Sequence, residues 1–510
     1  MPAVTLSNLN LISDIDVLRG LVTERDSIIA NLSAQLESLK QHFLNLRRMH
    51  FGATSERLAA QAELFQEKVD VPVPPEEKIR VTYERQRRGR PALPKNLPRE
   101  RVDYDLSETE KAEFDSVERI GEEISETLEY TPAKLIVIEH ARAKYACRKD
   151  GESTVRTAFA QPSPLPKSNA GAGLLAQVLV STFADHLPLN RQESIFKRHG
   201  VDLPRSTLCE WKLASGELLA VLRPSLIEHV LAAPRLHTDD TTMPLIVGGR
   251  SSTKTARLWG YLGAGARQAA DDSWFEHAPA VVFEFTDSRE SLHPVAFLKG
   301  YVGYLQADAY SGYDVLYKSG LIIEVGCWAH CRRKFFEIAK TQQPPGLAAE
   351  AIRWIAKLYE IESRIKDHPP DVKLKVRQGE AVPVLADFRR WLDGHYPTLL
   401  PQAPLGLAFG YALRNWQALI RYCESGILVP DNNILERQIR PIAKGRDAYL
   451  FVAAERAGHV AATLYSLIGT CKLNGIEPYA YLKDVLQRLP QHPINRVAEL
   501  LPFNWKPAAH

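Results

Sequence analysis

After Pro234 the chain passes through five short extended runs, RLHTD, ARLWGYLG, AVVFEFTDS, GYLQAD and LIIEVGCWAH, and then turns helical from CRRKFFEIAK through Ile352, Ile355 and Tyr359. Five strand-like runs followed by helical periodicity predict a mixed α/β domain interrupted by a helical insertion. Two of the runs end in acids. Asp239 and Asp240 stand where the first run meets a threonine pair, in HTDDTTMPL, and Asp308 closes the fourth, in LQADAYSGYD. Each has an ordinary alternative, because aspartate at a strand end bonds to local backbone, shapes turns and caps following helices.

A third acid, Glu436, lies in PDNNILERQIRPIAKGRDAYLF, where Asn432 or Asn433 can start a helix and Glu436 falls in its opening turns. Its ordinary alternative is a solvated ion pair with Arg440, four residues on. Taken together, two aspartates at the ends of different strands and a glutamate on a late basic helix are what a two-metal phosphoryl-transfer site requires. Paired divalent ions about 3.5–4 Å apart need carboxylates to anchor them. Arg437, Arg440, Lys444 and Arg446 then supply charge for a phosphate backbone. The expected substrate is a polyanion, and Asp240 with Thr241 is expected to support the site from behind.

At 510 residues, with 45% hydrophobic and 25% charged residues, the chain has the composition of a multidomain globular protein. A formal net charge of +3 says little about nucleic acid, so its distribution matters more. Between residues 78 and 101 nine Lys or Arg stand against two Glu, whereas residues 103–129 hold eleven acids against two bases. Within the basic stretch, Arg88-Gly89-Arg90-Pro91 suits a narrow DNA minor groove, and it equally suits a solvated linker. Near the start, Ile15, Val22, Ile29, Leu36 and Phe43 recur every seven residues, and Leu18, Leu32, Leu39 and Leu46 fall three places after four of them. These heptads predict a coiled coil and self-association, weakened where Arg25 takes an inner position. A single helix packed on its own protein would show a similar stripe.

Residues 120–146 read as short strands, and LNRQESIFKRHGVDLPRSTLCEWKLA reads as two helices joined across Gly200, with Ser206 or Thr207 able to cap the second. That outline fits a helix-turn-helix, though helical hairpins are also common for packing alone. The six cysteines, at 147, 209, 327, 331, 423 and 471, are too sparse for a disulfide framework. No leader or membrane span is expected, so the expected setting is cytoplasmic and associated with the nucleoid.

The three acidic motifs resemble those of transposases of the insertion sequence 66 family. FGATSERL, RRGRPALPKNLPRE, PLNRQESIFKRHGV, CWAHCRRKFFE, AERAGHVAATLYSLIGTCKLNGIEPYAYL and HPINRVAELLPFNW extend that resemblance over nearly the whole chain. The resemblance implies an RNase H-like DDE domain in which Asp239, Asp308 and Glu436 are the catalytic and metal-binding acids. It implies Mg²⁺, with Mn²⁺ able to substitute, acting on double-stranded DNA at terminal inverted repeats and at a target. A homodimer or larger assembly is expected, with accessory transposition proteins as further candidate partners and no membrane.

The implied organisation is a coiled coil (1–68), a basic linker (69–102), a small β-rich module (103–160), a helix-turn-helix-like region (161–233), RNase H-like core strands (234–340), a helical insertion (341–430), the glutamate helix (431–452) and a C-terminal helical region (453–510). The family's four-cysteine zinc module is here reduced to Cys147, with Asp150 where a partner would fall, so no structural zinc is expected. Cys327, His330 and Cys331 lack an evident fourth ligand, and packed thiols are the expectation. His330, Arg332, Arg333 and Lys334 are expected to face DNA, the alternative for His330 being a buried, hydrogen-bonded ring. The implied reaction is cleavage at the element ends followed by 3′-hydroxyl transfer into target DNA. The alternatives are a structure-specific nuclease on the same fold and a catalytically silent, transposase-derived DNA-binding protein.

Overall fold

The structure is a computed structural model that describes residues 135, 137, 138, 144–149, 152–157, 162–166, 168–248, 252–269, 271, 273–342, 344–450 and 452–507. The expected coiled coil, the basic linker with Arg88 and Arg90, and most of the β-rich module lie outside these residues. Of that module the structure describes an antiparallel pair, β1 (Lys144–Lys149) and β2 (Glu152–Thr157), in register from Lys144↔Thr157 to Lys149↔Glu152.

Four helices follow: α1 (Ala172–Phe183), α2 (Leu189–Arg198), α3 (Arg205–Leu219) and α4 (Arg223–Leu231). The expected break between α2 and α3 is present. Gly200 turns the chain with φ of +81°, a conformation costly to residues bearing a Cβ. The expected cap is not used. Pro204 occupies the N-cap of α3, and Glu193 instead accepts the Arg205 N–H at 3.1 Å.

The central sheet contains β3 (Arg235–Leu245), β4 (Lys254–Ala264), β7 (Ala280–Thr286), β8 (Gly303–Gln306) and β9 (Ile322–Val325), in the order β7-β4-β3-β8-β9. A small hairpin, β5 (Ala266–Gln268) with β6 (Trp274–Glu276), stands apart from it. β4 pairs antiparallel with both β3 and β7, while β8 pairs parallel with β3 and β9. All five predicted runs are therefore strands of one sheet. β3 is longer than expected: it continues through Asp239 to Leu245, held throughout by β4, and only its parallel pairing with β8 stops, at His237↔Gln306. The acids mark where one neighbour strand ends, not where β3 ends.

Short helices α5 (Leu292–Phe297) and α6 (Asp314–Tyr317) connect the later strands, and α7 (Trp328–Ala339) follows β9. The helical insertion comprises α8 (Leu347–Ile365), α9 (Pro370–Val376), α10 (Val382–His395), α11 (Pro404–Arg414) and α12 (Trp416–Ile420). It packs against α7 around Trp328, Phe335, Phe388, Phe409 and Trp416. Each large apolar side chain buried there contributes about 1.5–3 kcal/mol. Arg377, 1% exposed, is held in this core by both carboxylate oxygens of Glu362 at 2.7 and 2.8 Å and by the carbonyls of Tyr422 and Ser425. A buried guanidinium is tolerable only when paired and hydrogen-bonded in this way.

Three helices complete the chain: α13 (Asn433–Tyr449), α14 (Glu455–Leu473) and α15 (Pro478–Arg488). α14 is buried along an unbroken run from Val460 to Cys471 and lies on β7, the edge strand. Hydroxyls cover that edge: Ser466 Oγ accepts from Phe283 N at 2.8 Å, and Thr470 Oγ1 accepts from Val281 N at 3.1 Å. Two of the strand's outward N–H groups are thereby satisfied within the protein. Gly458 and Gly469 allow the close approach, since a Cβ at Gly458 would meet Phe285 at 2.5 Å and one at Gly469 would meet Val281 at 2.8 Å.

Replacing glycine by alanine inside a helix ordinarily gains about 1 kcal/mol, but overpacking against a ring costs about 1–3 kcal/mol. Gly458→Ala is therefore expected to lower the urea midpoint of unfolding. A raised midpoint would show that Phe285 yields and that the contact between α14 and β7 is not tight.

Candidate active site

The site forms where β3, β8, α7 and α13 meet. Asp239 lies two residues beyond His237 on β3, and Asp308 two residues beyond Gln306 on β8, His237 and Gln306 being the last matched pair of the parallel ladder. Adjacent strands run about 4.8 Å apart with side chains alternating in direction, so equal offsets from a matched pair bring the two aspartates to one end and one face of the sheet. Asp308 also plays its local part, since its Oδ1 accepts the Tyr310 N–H at 3.1 Å. Between them Ala309 takes a φ of +65°, a strained value for a residue with a Cβ.

Glu436 reaches the same place through a long-range clamp. Asn432, fully buried at the N-cap of α13, accepts a hydrogen bond from His237 Nδ1 at 2.8 Å and donates from Nδ2 to Thr238 O at 3.0 Å. Glu436 follows one helical turn later, its own N–H donated to Asn432 O at 3.1 Å. Arg446 donates to Thr242 O at 2.6 Å, and Val452 exchanges backbone hydrogen bonds with Pro244 and Ile246. The helix is thus fastened along β3 at its start, near its end and just beyond it. Burial and the nearby Arg235 guanidinium push the His237 pKa well below its ordinary value. The ring is neutral, with its proton on the nitrogen facing Asn432.

The electrostatics show that the three acids share one environment. Burial, then the negative charges of Asp308 and Glu436, raise the pKa of Asp239 well above the usual carboxylate range. Glu436 is also raised, by burial, with Arg333 opposing the shift and Asp431 and Asp308 adding to it. Asp240 points elsewhere: Arg257 holds its Oδ2 at 2.8 Å and Arg289 its Oδ1 at 2.9 Å. Its charge is compensated behind the site, which fits a supporting role.

The basic residues divide by position. Lys334, Arg437 and Lys444 are exposed, while Arg332, Arg333, Arg440 and Arg446 are half-buried. Arg446 is committed to β3 as above, Lys334 lies over the Tyr411 ring at 4.5 Å, and Arg332 faces the Phe336 ring at 5.5 Å. Arg333 Nη2 stands 3.6 Å from Glu436 Oε2, and His330 Nδ1 stands 3.5 Å from Glu436 Oε1. Burial and the Arg333 and Lys334 charges lower the His330 pKa to about 3, leaving the ring neutral. Cys331 is fully buried, whereas Cys327, at the N-cap of α7, accepts the Asn432 N–H through Sγ at 3.3 Å. The bridging role of Asn432 was not legible in the sequence, because its partners lie 194 and 195 residues away. Nor was the pairing of Arg257 and Arg289 with Asp240.

A family model described as "Transposase IS66 family" matches residues 167–460, more than half of the chain, including all three acids. The chain belongs to the IS66 transposase family. Models for the IS66 C-terminal element and for the "Transposase C of IS166 homeodomain" match residues 466–503 and 38–102. Among similar proteins are two uncharacterized proteins of Sinorhizobium fredii (strain NBRC 101917 / NGR234). The protein y4hP is 35% identical over 516 residues, covering 96% of this chain and 87% of the relative. The protein y4jD is 35% identical over 429 residues, covering 81% of each. The matched domains support a transposase role with DNA as partner. Among the described residues no helix is long and apolar enough to cross a membrane.

One expectation is corrected. The zinc-finger binding domain of transposase IS66 matches residues 113–149, which points to zinc binding where none was expected. The expectation rested on counting cysteines against a four-cysteine pattern. Among the described residues, donor atoms of Cys327, His330 and Glu436 also lie within 4.8 Å of one another, a group able to hold a metal.

Two outcomes are expected. Asn432→Ala leaves the His237 donor and the Thr238 carbonyl without the Asn432 amide at about 1–3 kcal/mol each, so a fall in unfolding free energy of about 2–6 kcal/mol is expected. A change below about 1 kcal/mol would mean that α13 is held by other contacts. Because the folded-state pKa of Asp239 is raised, the stability tied to its protonated form is complete below the unfolded carboxylate value and is lost as pH rises through the folded value. Asp239→Asn, measured in chelator at neutral pH, is therefore expected to raise the melting temperature, with the gain vanishing near pH 3. A lowered neutral-pH melting temperature would contradict mutual repulsion at the site.

Proposed function

We propose that this protein is a DDE transposase whose RNase H-like domain cleaves DNA at the ends of an insertion sequence and transfers the new 3′-hydroxyl into target DNA. The observation that carries the reading is geometric: Asp239 and Asp308 follow the last matched pair of β3 and β8 at equal offsets, and Asn432 fastens the start of the Glu436 helix to β3 beside Asp239, in a chain of this family. Mutually repelling, partly enclosed carboxylates fit a hard divalent cation, which takes oxygen ligands and removes the repulsion. The sheet order also supports the reading: three antiparallel strands followed outward by two parallel ones, with one acid on the first strand in sequence and one just beyond the fourth.

Asp239, Asp308 and Glu436 would hold the ions, Mg²⁺ being the natural choice and Mn²⁺ a substitute. Such ions supply Lewis acidity at phosphoryl oxygens and a lowered pKa for water. The chain's own groups do the rest. Asn432 fixes the height of Glu436 above β3. Arg257 and Arg289 hold Asp240 out of the site. Arg437 and Lys444, exposed on α13, bind backbone phosphates and position the duplex, and Arg332, Arg333 and Lys334 extend that positive surface along α7. Arg88 and Arg90 add DNA contacts of their own, suited to a narrow minor groove. Two ends must be held together for joined products, so the working form is a dimer or larger assembly, with the N-terminal heptads as its means of association.

The test uses labelled duplexes carrying an element end or a scrambled sequence, with Mg²⁺ or chelator. Cleaved and joined products are expected only with the end sequence and Mg²⁺. Loss of an anchoring acid removes several kcal/mol of transition-state stabilisation, so Glu436→Ala is expected to slow cleavage by about 10³-fold. Undiminished cleavage by that variant would remove Glu436 from the site, and cleavage without joining would identify a nuclease instead.

A further inference from the structure

Glu436 has a second set of neighbours that the phosphoryl-transfer reading does not use. Its Oε1 is buried without a hydrogen-bond partner, and so is His330 Nδ1, 3.5 Å away. Two orphaned polar atoms facing one another are costly unless something joins them. The separation is long for a hydrogen bond. It matches two donors that each lie about 2.0–2.1 Å from one tetrahedral ion, roughly 3.4 Å apart.

A third donor completes the group. The atoms offered by Cys327, His330 and Glu436 all lie within 4.8 Å of one another. Cys327 and His330 are fixed by the start of α7, the first at its N-cap and the second in its opening turn, and Glu436 by the first turn of α13. The donor set is ready for a cation in other respects. Asn432 N–H points at Cys327 Sγ at 3.3 Å, and Arg333 approaches only Oε2 of Glu436, leaving Oε1 free.

We propose that Cys327, His330 and Glu436 form a site for a borderline-soft divalent ion, Zn²⁺ above all, with a fourth coordination position open to solvent or to a phosphate oxygen. Sulfur and imidazole donors select such an ion over Mg²⁺, whose ligands are oxygens. Binding releases the Cys327 proton to solvent and leaves the thiolate on the ion, with no change of oxidation state. None of these three residues falls within 113–149, where the zinc-finger match lies. It shares Glu436 with the proposed phosphoryl-transfer centre. A consequence that rests on the transposase reading is that bound Zn²⁺ draws Glu436 away from Asp239 and Asp308 and inhibits Mg²⁺-supported cleavage.

The binding test needs no DNA and no activity. Full-length protein stripped with chelator is titrated with Co²⁺, which reports a thiolate ligand through a near-ultraviolet charge-transfer band. The variants are Cys327→Ser, His330→Gln and Cys147→Ser, each checked for native circular dichroism. The site predicts a band that persists in Cys147→Ser and that, within the Cys147→Ser background, disappears on adding Cys327→Ser and needs at least about tenfold more Co²⁺ on adding His330→Gln. His330→Gln, at a half-buried position, keeps the test decisive should Cys327→Ser fail to fold. In the Cys147→Ser background, a band left unchanged by both Cys327→Ser and His330→Gln, or no band at all, overturns the proposal. Failure of Zn²⁺ to inhibit cleavage while Co²⁺ binds as described would overturn the inhibitory consequence alone.

Discussion

The position of Glu436 depends on one buried amide. Asn432 takes a hydrogen bond from His237 and gives one to the carbonyl of Thr238, so the start of α13 is fixed to β3 beside Asp239. Inside a low-dielectric core these bonds cannot be exchanged for water without leaving donors and acceptors bare. Arg446 and Val452 repeat the fastening farther along. A helix carrying one acid is thereby held parallel to the strand carrying another, although almost two hundred residues separate them in sequence.

The rest of the domain serves that geometry. β4 holds β3 along its full length, while β8 accompanies it only to His237 and then releases Asp308 into a strained turn at Ala309. The insertion touches the site at two points: Tyr411 OH donates to Asp308 O at 3.2 Å, and Tyr359 OH donates to Asp431 Oδ2 at 2.9 Å. α14 covers the exposed edge of the sheet on the opposite flank, satisfying β7 with hydroxyls from a helix lined with small residues. The covered sheet holds the end of β3 beside the start of α13.

Much of the fold is legible in the sequence. The five extended runs, their strand character and the helical insertion follow from local periodicity and turn chemistry, because those signals are short-range. The extent of β3 beyond Asp239 was not, since β4 rather than composition decides where that strand ends. Capping of α3 by Ser206 or Thr207 failed for a similar reason, Glu193 on the preceding helix taking the N–H group instead. Partners that meet only in the folded state, such as Asn432 with His237 or Arg289 with Asp240, leave no local trace. The zinc expectation failed differently. It treated a depleted cysteine pattern as the end of metal binding, whereas the family match at residues 113–149 and the donor group at Cys327, His330 and Glu436 both point the other way.

The central claim is that three distant carboxylates hold divalent ions at one centre. Crystals of the protein soaked in Mn²⁺, with anomalous difference density measured, address it most directly. The account predicts a peak about 2.1 Å from carboxylate oxygens of Asp239 and Asp308, with Glu436 at the same centre. Saturating Mn²⁺ that gave peaks only elsewhere, with these carboxylates bare, would contradict it.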